Sequence, residues 1–286
     1  MIKTILVPAA GDESDTAVFA AAAAVARNFG AHLDLLHVRV DPANVALAMS
    51  TDGGSGALAA GLMDRLQQDE EKRTAAARQV FERNCADAGI AIGPTSSGLS
   101  AEWHVEAGEE PRWIATYGLS ADLIVAARDT ANAAAERSLL EAALLDTGRP
   151  LLIPAAAPVA PSFARIAIAW KPAPQAARAI ALAMPFLTRA SAVSILTVAE
   201  ADAAAEAHPA SERLCRNLAR HGVAADLTTL PPGADGAAAT LLSAAAERAD
   251  LLVMGGYGHS RLQEWVFGGV TQQVLTAAPL PVLMAH

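Results

Sequence analysis

Four glycines frame one short segment near the C-terminal end of this sequence. Gly255 and Gly258 follow the apolar run LLVM (251–254); nine residues then separate Gly258 from Gly268, and Gly269 follows at once. Glycine takes positive φ without a steric penalty and lets a backbone come close to a ligand. The stretch after the second pair, VTQQVLTAA (270–278), reads as a helix. Free N–H groups at a helix start, with the positive end of the helix dipole, attract phosphate. The two glycine pairs therefore read as two walls of one anion cradle, with SRLQEWVF (260–267) as the loop between them. Two commoner glycine motifs are set aside. A Walker loop needs Gly-Lys-Ser/Thr, which the sequence lacks. A dinucleotide fingerprint follows the first strand of its unit, whereas these glycines follow the fourth. His259 reads as a backbone contributor or surface residue, not as a catalytic base, and Arg261 as a surface residue.

The elements that must hold such a cradle are visible in the composition. The chain has 286 residues, 53% hydrophobic and 18% charged, enough to bury a sizeable core. The net charge of −9 argues against a nucleic-acid partner. The excess acidity lies wholly in residues 1–160, so the glycine segment sits in the neutral part of the chain. No stretch reaches the roughly 18 apolar residues of a membrane span, and the N-terminus does not read as a signal peptide. A soluble, cytoplasmic protein is expected. Cys85 and Cys215 stand far apart, which suits two reduced thiols, and no Cys/His cluster has zinc spacing.

The sequence repeats itself. Residues 4–38 and 165–198 each hold a β-branched run, a small-residue turn, an alanine-rich helix and a second apolar run. SADLIVAAR (120–128) matches RADLLVMGG (248–256), and GRPLLIP (148–154) matches PLPVLMA (279–285). Correspondences in one order imply a tandem duplication, with units at 1–157 and 163–286 and a Pro/Ala linker between them. In the first unit strands are expected near 4–8, 33–38, 102–105, 122–126 and 150–153, and helices near 14–29, 62–88, 110–119 and 136–146. In the second, strands are expected near 165–169, 193–198, 225–229, 250–254 and 281–284, and helices near 174–188, 210–221, 235–247 and 269–277. The strand cores are continuously apolar, as in strands buried on both faces of a parallel sheet. The expected architecture is α/β: two tandem open parallel five-stranded sheets with helices on both faces. Residues 43–61 read as a glycine- and serine-rich loop interrupting the first unit.

The pattern Gly-x2-Gly-x9-Gly followed by a small residue, late in an α/β chain, resembles the nucleotide loop of the universal stress protein family. ILVP (5–8) before an alanine-rich helix, ADLLVMGGYGHSRL (249–262), GGVTQQVL (268–275) and the closing PLPVLM (279–284) extend the resemblance over both units. It implies an adenine nucleotide alpha hydrolase-like, Rossmann-like fold with a cleft for ATP or a related adenine nucleotide in the second unit. Gly255, Gly258, His259, Gly268, Gly269 and Val270 would then hold the phosphates, with Mg2+ accompanying them. Adenine and ribose would lie over Ala169, Trp170 and Lys171 and over Thr197 and Val198. The chain departs from the family pattern in two places. Gly269 stands where Ser or Thr is usual, and Lys171 lies in a turn that often carries Asp and cannot accept a hydrogen bond from an adenine amino group. Trp170 either stacks on a ring or fills the cleft.

The first unit lacks these glycines. Ala127 and Thr130 stand against Gly255 and Gly258, and Arg137 and Ser138 against Gly268 and Gly269. Asp12 in PAAGDES faces a base or, with Ser14, caps the following helix. The first unit is expected to bind no ATP and to serve as a structural partner. The family resemblance also implies pairing of the two units through PLLIP (150–154) and LPVLM (280–284), and association of two chains into a homodimer stays open. Three functions follow from these readings: a stress-response regulator that binds nucleotide, a slow ATP hydrolase, and a scaffold or binder of another small acid. No general base or arginine finger stands out for the second.

Overall fold

The computed structural model describes residues 1–11, 14–40, 56–94, 98–127, 138–155, 162–199, 204–231, 233–256, 271, 274 and 278–286. The N-terminal half runs β1 (Thr4–Pro8), α1 (Ser14–Phe29), β2 (His32–Arg39), α2 (Gly56–Ala88), β3 (Ala91–Ile92), β4 (Ser100–Ala107), α3 (Glu110–Gly118), β5 (Leu123–Val125), a π-helical turn (Ala142–Asp146) and β6 (Leu151–Ile153). The C-terminal half runs β7 (Arg165–Ala169), α4 (Pro174–Leu187), β8 (Ala192–Val198), α5 (Ala204–Arg220), β9 (Ala225–Leu230), α6 (Gly236–Arg248), β10 (Leu251–Gly255) and β11 (Val282–Ala285). Of the loop expected at 43–61, residues 56–61 instead form the start of α2, and the part before Gly56 lies outside the described residues, as does most of the Pro/Ala linker.

Each half is the parallel α/β unit expected, and the two sheets are continuous. One sheet of eleven strands runs in the order β3-β4-β2-β1-β5-β6-β11-β10-β7-β8-β9. Its centre is an antiparallel pair, β6 with β11, which sets Ile153 against Val282, Leu152 against Leu283 and Leu151 against Met284. The other strand pairs are parallel. The two-residue edge strand β3 carries no period that a sequence could reveal.

Strand residues alternate between two helical layers, and both layers are apolar because helices cover both faces. Ile5, Val7, Leu33, Leu35, Ile166, Ile168, Leu152, Val253 and Leu283 join one core with α1, α2, α4 and α5. Leu6, Leu36, Ala167, Leu196, Leu252, Ile153 and Met284 join the other with α3, the π-helical turn, α6 and Val274. Burial of each such Leu or Ile contributes about 1.5–3 kcal/mol. Both cores cross the boundary between the halves. On the first face Phe29 of α1 meets Phe186 of α4 edge-on at 5.0 Å, and Phe186 meets Phe163 at 5.4 Å.

The duplicated Ala-Asp-Leu motifs do the same work in each half. The Asp122 carboxylate accepts the N–H groups of Lys3 and Thr4 at 2.7 and 3.1 Å. Asp250 accepts the N–H of Arg165 at 3.2 Å and its guanidinium at 2.7 and 3.1 Å, and the Ser162 hydroxyl at 2.6 Å. Burial alone would raise the Asp250 pKa, but these donors together hold it below the usual range. The motif thus ties the start of the inner strand to the start of its neighbour.

Candidate functional site

In each half the chain runs outward from its first strand, then returns to lay a later strand on the opposite side. In the C-terminal half β8 and β9 lie on one side of β7 and β10 on the other. The chain leaves β7 towards the α4 face, and Val274, the next core residue described after β10, lies on the opposite face. Departures to opposite faces from neighbouring strands open a crevice at their carboxyl ends. Ala169, Trp170, Lys171, Thr197, Val198 and Gly255 all fall at the ends of β7, β8 and β10, around that crevice. Gly258, His259, Gly268, Gly269 and Val270 lie outside the described residues.

The wall of the crevice is built by α4. Pro174 opens this helix, where its fixed φ suits the first turn and its missing N–H costs nothing. Ala173 at the N-cap offers no side-chain oxygen, so the helix start has no side-chain cap. A Cβ on Gly255 would stand 2.5 Å from the Ala176 nitrogen and 2.6 Å from the Gln175 carbonyl carbon. Gly255 is therefore glycine because the first turn of α4 presses on it. It belongs to β10, pairing with Ala285, and is not among the glycines with positive φ. The next amide is also taken: Gly256 N–H donates to Ala285 O at 2.8 Å. The sequence reading gave Gly255 to a ligand's close approach, and the structure gives that approach to a helix.

Trp170 N–H donates to Leu196 O at 2.9 Å, which extends the β7–β8 ladder by one residue. Its indole is half-buried against the core under α4. Its Nε1 is buried with no hydrogen-bond partner, and so is Oε1 of Gln175, in the first turn of α4. Lys171 is exposed beside them. Thr197 is buried, and its hydroxyl donates to Thr229 Oγ1 at 3.3 Å. Gln175 carried no signal in the sequence; its place became visible only with the helix seated on Gly255.

A family model of universal stress proteins matches residues 1–144 and 162–286. The chain belongs to the universal stress protein family. Among solved structures, this universal stress protein family chain is similar to a universal stress protein from Archaeoglobus fulgidus DSM 4304, at 16% identity and TM-score 0.71, covering 99% of this chain and 97% of that one. It is also similar to a functionally unknown protein from Pseudomonas aeruginosa PAO1, at 17% identity and TM-score 0.56, covering 99% and 92%. These likenesses cover both halves and speak for the fold. Comparison with curated proteins finds no match.

The two universal stress protein units treat the same crevice differently. In the N-terminal half His37 of β2 occupies the place of Thr197, and α2 closes over the strand ends. The His37 ring is buried; its Nδ1–H donates to Ala9 O at 2.7 Å, and its Nε2 lies 3.2 Å from Thr74 Oγ1 and 3.8 Å from the Glu70 carboxylate. Trp103 stacks on the ring at 5.7 Å. Arg73 pairs with Glu70 at 2.8 Å. Gly11, with φ +87°, takes the turn after β1, and a Cβ there would meet the stem of Arg73 at 3.2 Å. The turn amides of Ala10 and Gly11 both donate to the Asp15 carboxylate at 2.8 Å. Asp12 lies outside the described residues, as does the side chain of Ser14; the described carboxylate that holds this turn is Asp15. The loop from residue 128 to 137, with Thr130 and Arg137, also lies outside them.

Proposed function

We propose that this chain is a cytoplasmic regulatory protein of the stress-response type that binds ATP or a related adenine nucleotide in its C-terminal half. The observation that carries the reading is the pair of unpartnered buried atoms, Trp170 Nε1 and Gln175 Oε1, beside the topological switch point. A buried polar group without a partner costs about 1–3 kcal/mol, so each asks for an explanation. The two atoms are one donor and one acceptor. The edge of adenine offers ring-nitrogen acceptors and an amino donor, so it complements both. Gln175 would supply the acceptor that Lys171 lacks. Lys171 and the uncapped start of α4 would favour the phosphates, which Gly258, His259, Gly268, Gly269 and Val270 would complete, with Mg2+ accompanying them. The filled crevice of the N-terminal half supports one nucleotide per chain.

Calorimetric titration of the full chain with ATP, with and without Mg2+, tests the reading. One site per chain is expected, weakened by Gln175→Ala. No heat and no Tm change at millimolar ATP would overturn it. A second reading, a small-acid binder, is favoured by the exposed Lys171 next to the uncapped helix start. Mass spectrometry of the ligand carried through purification separates the two.

A further inference from the structure

The N-terminal half carries a second cluster with no counterpart in its repeat. His32 and Asp34 alternate on one face of β2, and Ser100, Glu102 and His104 share that face on the neighbouring β4, because β2 and β4 pair in register. One ligand atom each from His32, Asp34 and Glu102 all lie within 4.8 Å of one another. We propose that these three residues bind a divalent first-row transition metal ion, with Zn2+ as the reference ion.

Four observations carry this. First, His32 Nε2 stands 3.4 Å from Asp34 Oδ1. Two ligands about 2.0–2.1 Å from a tetrahedral zinc are roughly 3.3 Å apart, so this pair already spans one edge of such a site. Second, the ligands are fixed from behind. His32 Nδ1 lies 2.7 Å from Ser100 Oγ, and the tautomer that donates from Nδ1 to this hydroxyl leaves the Nε2 lone pair towards Asp34. His104 Nε2–H donates to the same Asp34 oxygen at 2.9 Å and orients the carboxylate. Metal-binding imidazoles and carboxylates are held by such outer partners. Third, Asp34 and Glu102 are direct cross-strand partners. Like charges placed directly opposite destabilise a sheet, and a dication between them reverses the sign. Fourth, the fold does not require these residues: by the same strand register the C-terminal half has Ala192, Ser194, Asp226 and Thr228 in the places of His32, Asp34, Glu102 and His104. The half-exposed position leaves a path for the ion. An imidazole beside two carboxylates favours zinc and its neighbours over Mg2+ or Ca2+.

The test uses the full chain stripped with a chelator, then titrated with Zn2+ by calorimetry, with metal counted after gel filtration. One zinc per chain is expected, with a rise in Tm. Glu102→Gln and His32→Gln should each weaken binding at least about tenfold, and Ser100→Ala about tenfold through the loss of its support. Glu102→Gln keeps the shape of the side chain and removes the facing charge, so its metal-free Tm should equal or exceed that of the parent. Absence of stoichiometric zinc, zinc binding that survives both ligand substitutions, or equal affinity for Mg2+ would each overturn the proposal.

Discussion

Gly255 and Ala176 touch so closely that no side chain fits between them: the missing Cβ would stand 2.5 Å from the Ala176 nitrogen. The obstacle is helix backbone, not a flexible side chain, so α4 itself must shift. Gly255→Ala should destabilise the chain by about 1–3 kcal/mol, the cost of overpacking a tight site. Because α4 carries Gln175 and follows Trp170, the same substitution should weaken nucleotide binding. Urea denaturation and ATP titration of one preparation check both effects. Full parental stability would show that the contact relaxes without strain.

Trp170→Phe separates packing from hydrogen bonding. A six-membered ring stays, and the five-membered ring goes with its unpartnered Nε1–H. In the ligand-free variant the removal of a buried donor, worth about 1–3 kcal/mol, offsets the packing lost with the smaller ring, so stability should stay within about 1–2 kcal/mol of the parent. Its ATP affinity should fall by about tenfold, the worth of one hydrogen bond. A large loss of stability without ligand would mean that the indole is held by contacts the substitution breaks.

His37 sets a pH response in the N-terminal half. Burial lowers its pKa below the ordinary 6.5, with the Arg73 guanidinium adding to the effect; the bond to Ala9 O and the Glu70 carboxylate oppose it. The unfolded chain therefore takes up a proton near pH 6.5 that the native chain refuses. Stability from this group is complete above that pH and declines as the pH falls below it, towards the folded pKa. His37→Thr, which installs the residue of the other half, should flatten the loss of Tm between pH 7 and pH 5. An unchanged slope would assign the acid response to other groups.

The central strand pair should make unfolding a single event. Leu283 is 1% exposed and lies opposite Leu152 across the antiparallel join. Leu283→Ala should cost about 2–5 kcal/mol. The denaturation curve should shift as one transition, since both apolar layers run through the join. Two resolved transitions would show that the halves fold independently.

The sequence carried the architecture because buried parallel strands are apolar without interruption. ILV, LLHV, LIVA and LLVM all fall in strands or at their ends, and β1, α1 and β7 lie at the expected residues. The family resemblance pointed to the meeting of β6 and β11, yet only the structure shows that the two sheets become one. The ends of β7, β8 and β10 lie side by side because strand order makes them neighbours. What stayed hidden depends on contacts between distant residues. Arg73 and Thr74 gain their place only when the helix that carries them is laid over His37 and the turn at Gly11. Asp15 reaches back to the amides of Ala10 and Gly11. The pairs His32/Asp34 and Glu102/His104 escape a search for clustered zinc ligands, because about seventy residues separate two strands that the sheet makes neighbours.

The β6–β11 join also has a bearing on how the two halves evolved. Partners fused on one polypeptide do not dissociate on dilution, and each meets a fixed counterpart instead of a copy of itself. One crevice can then fill with a histidine and its escort while the other keeps its vacancies, with no symmetry obliging both to change together. Covalent linkage thus frees two once-equal subunits to diverge.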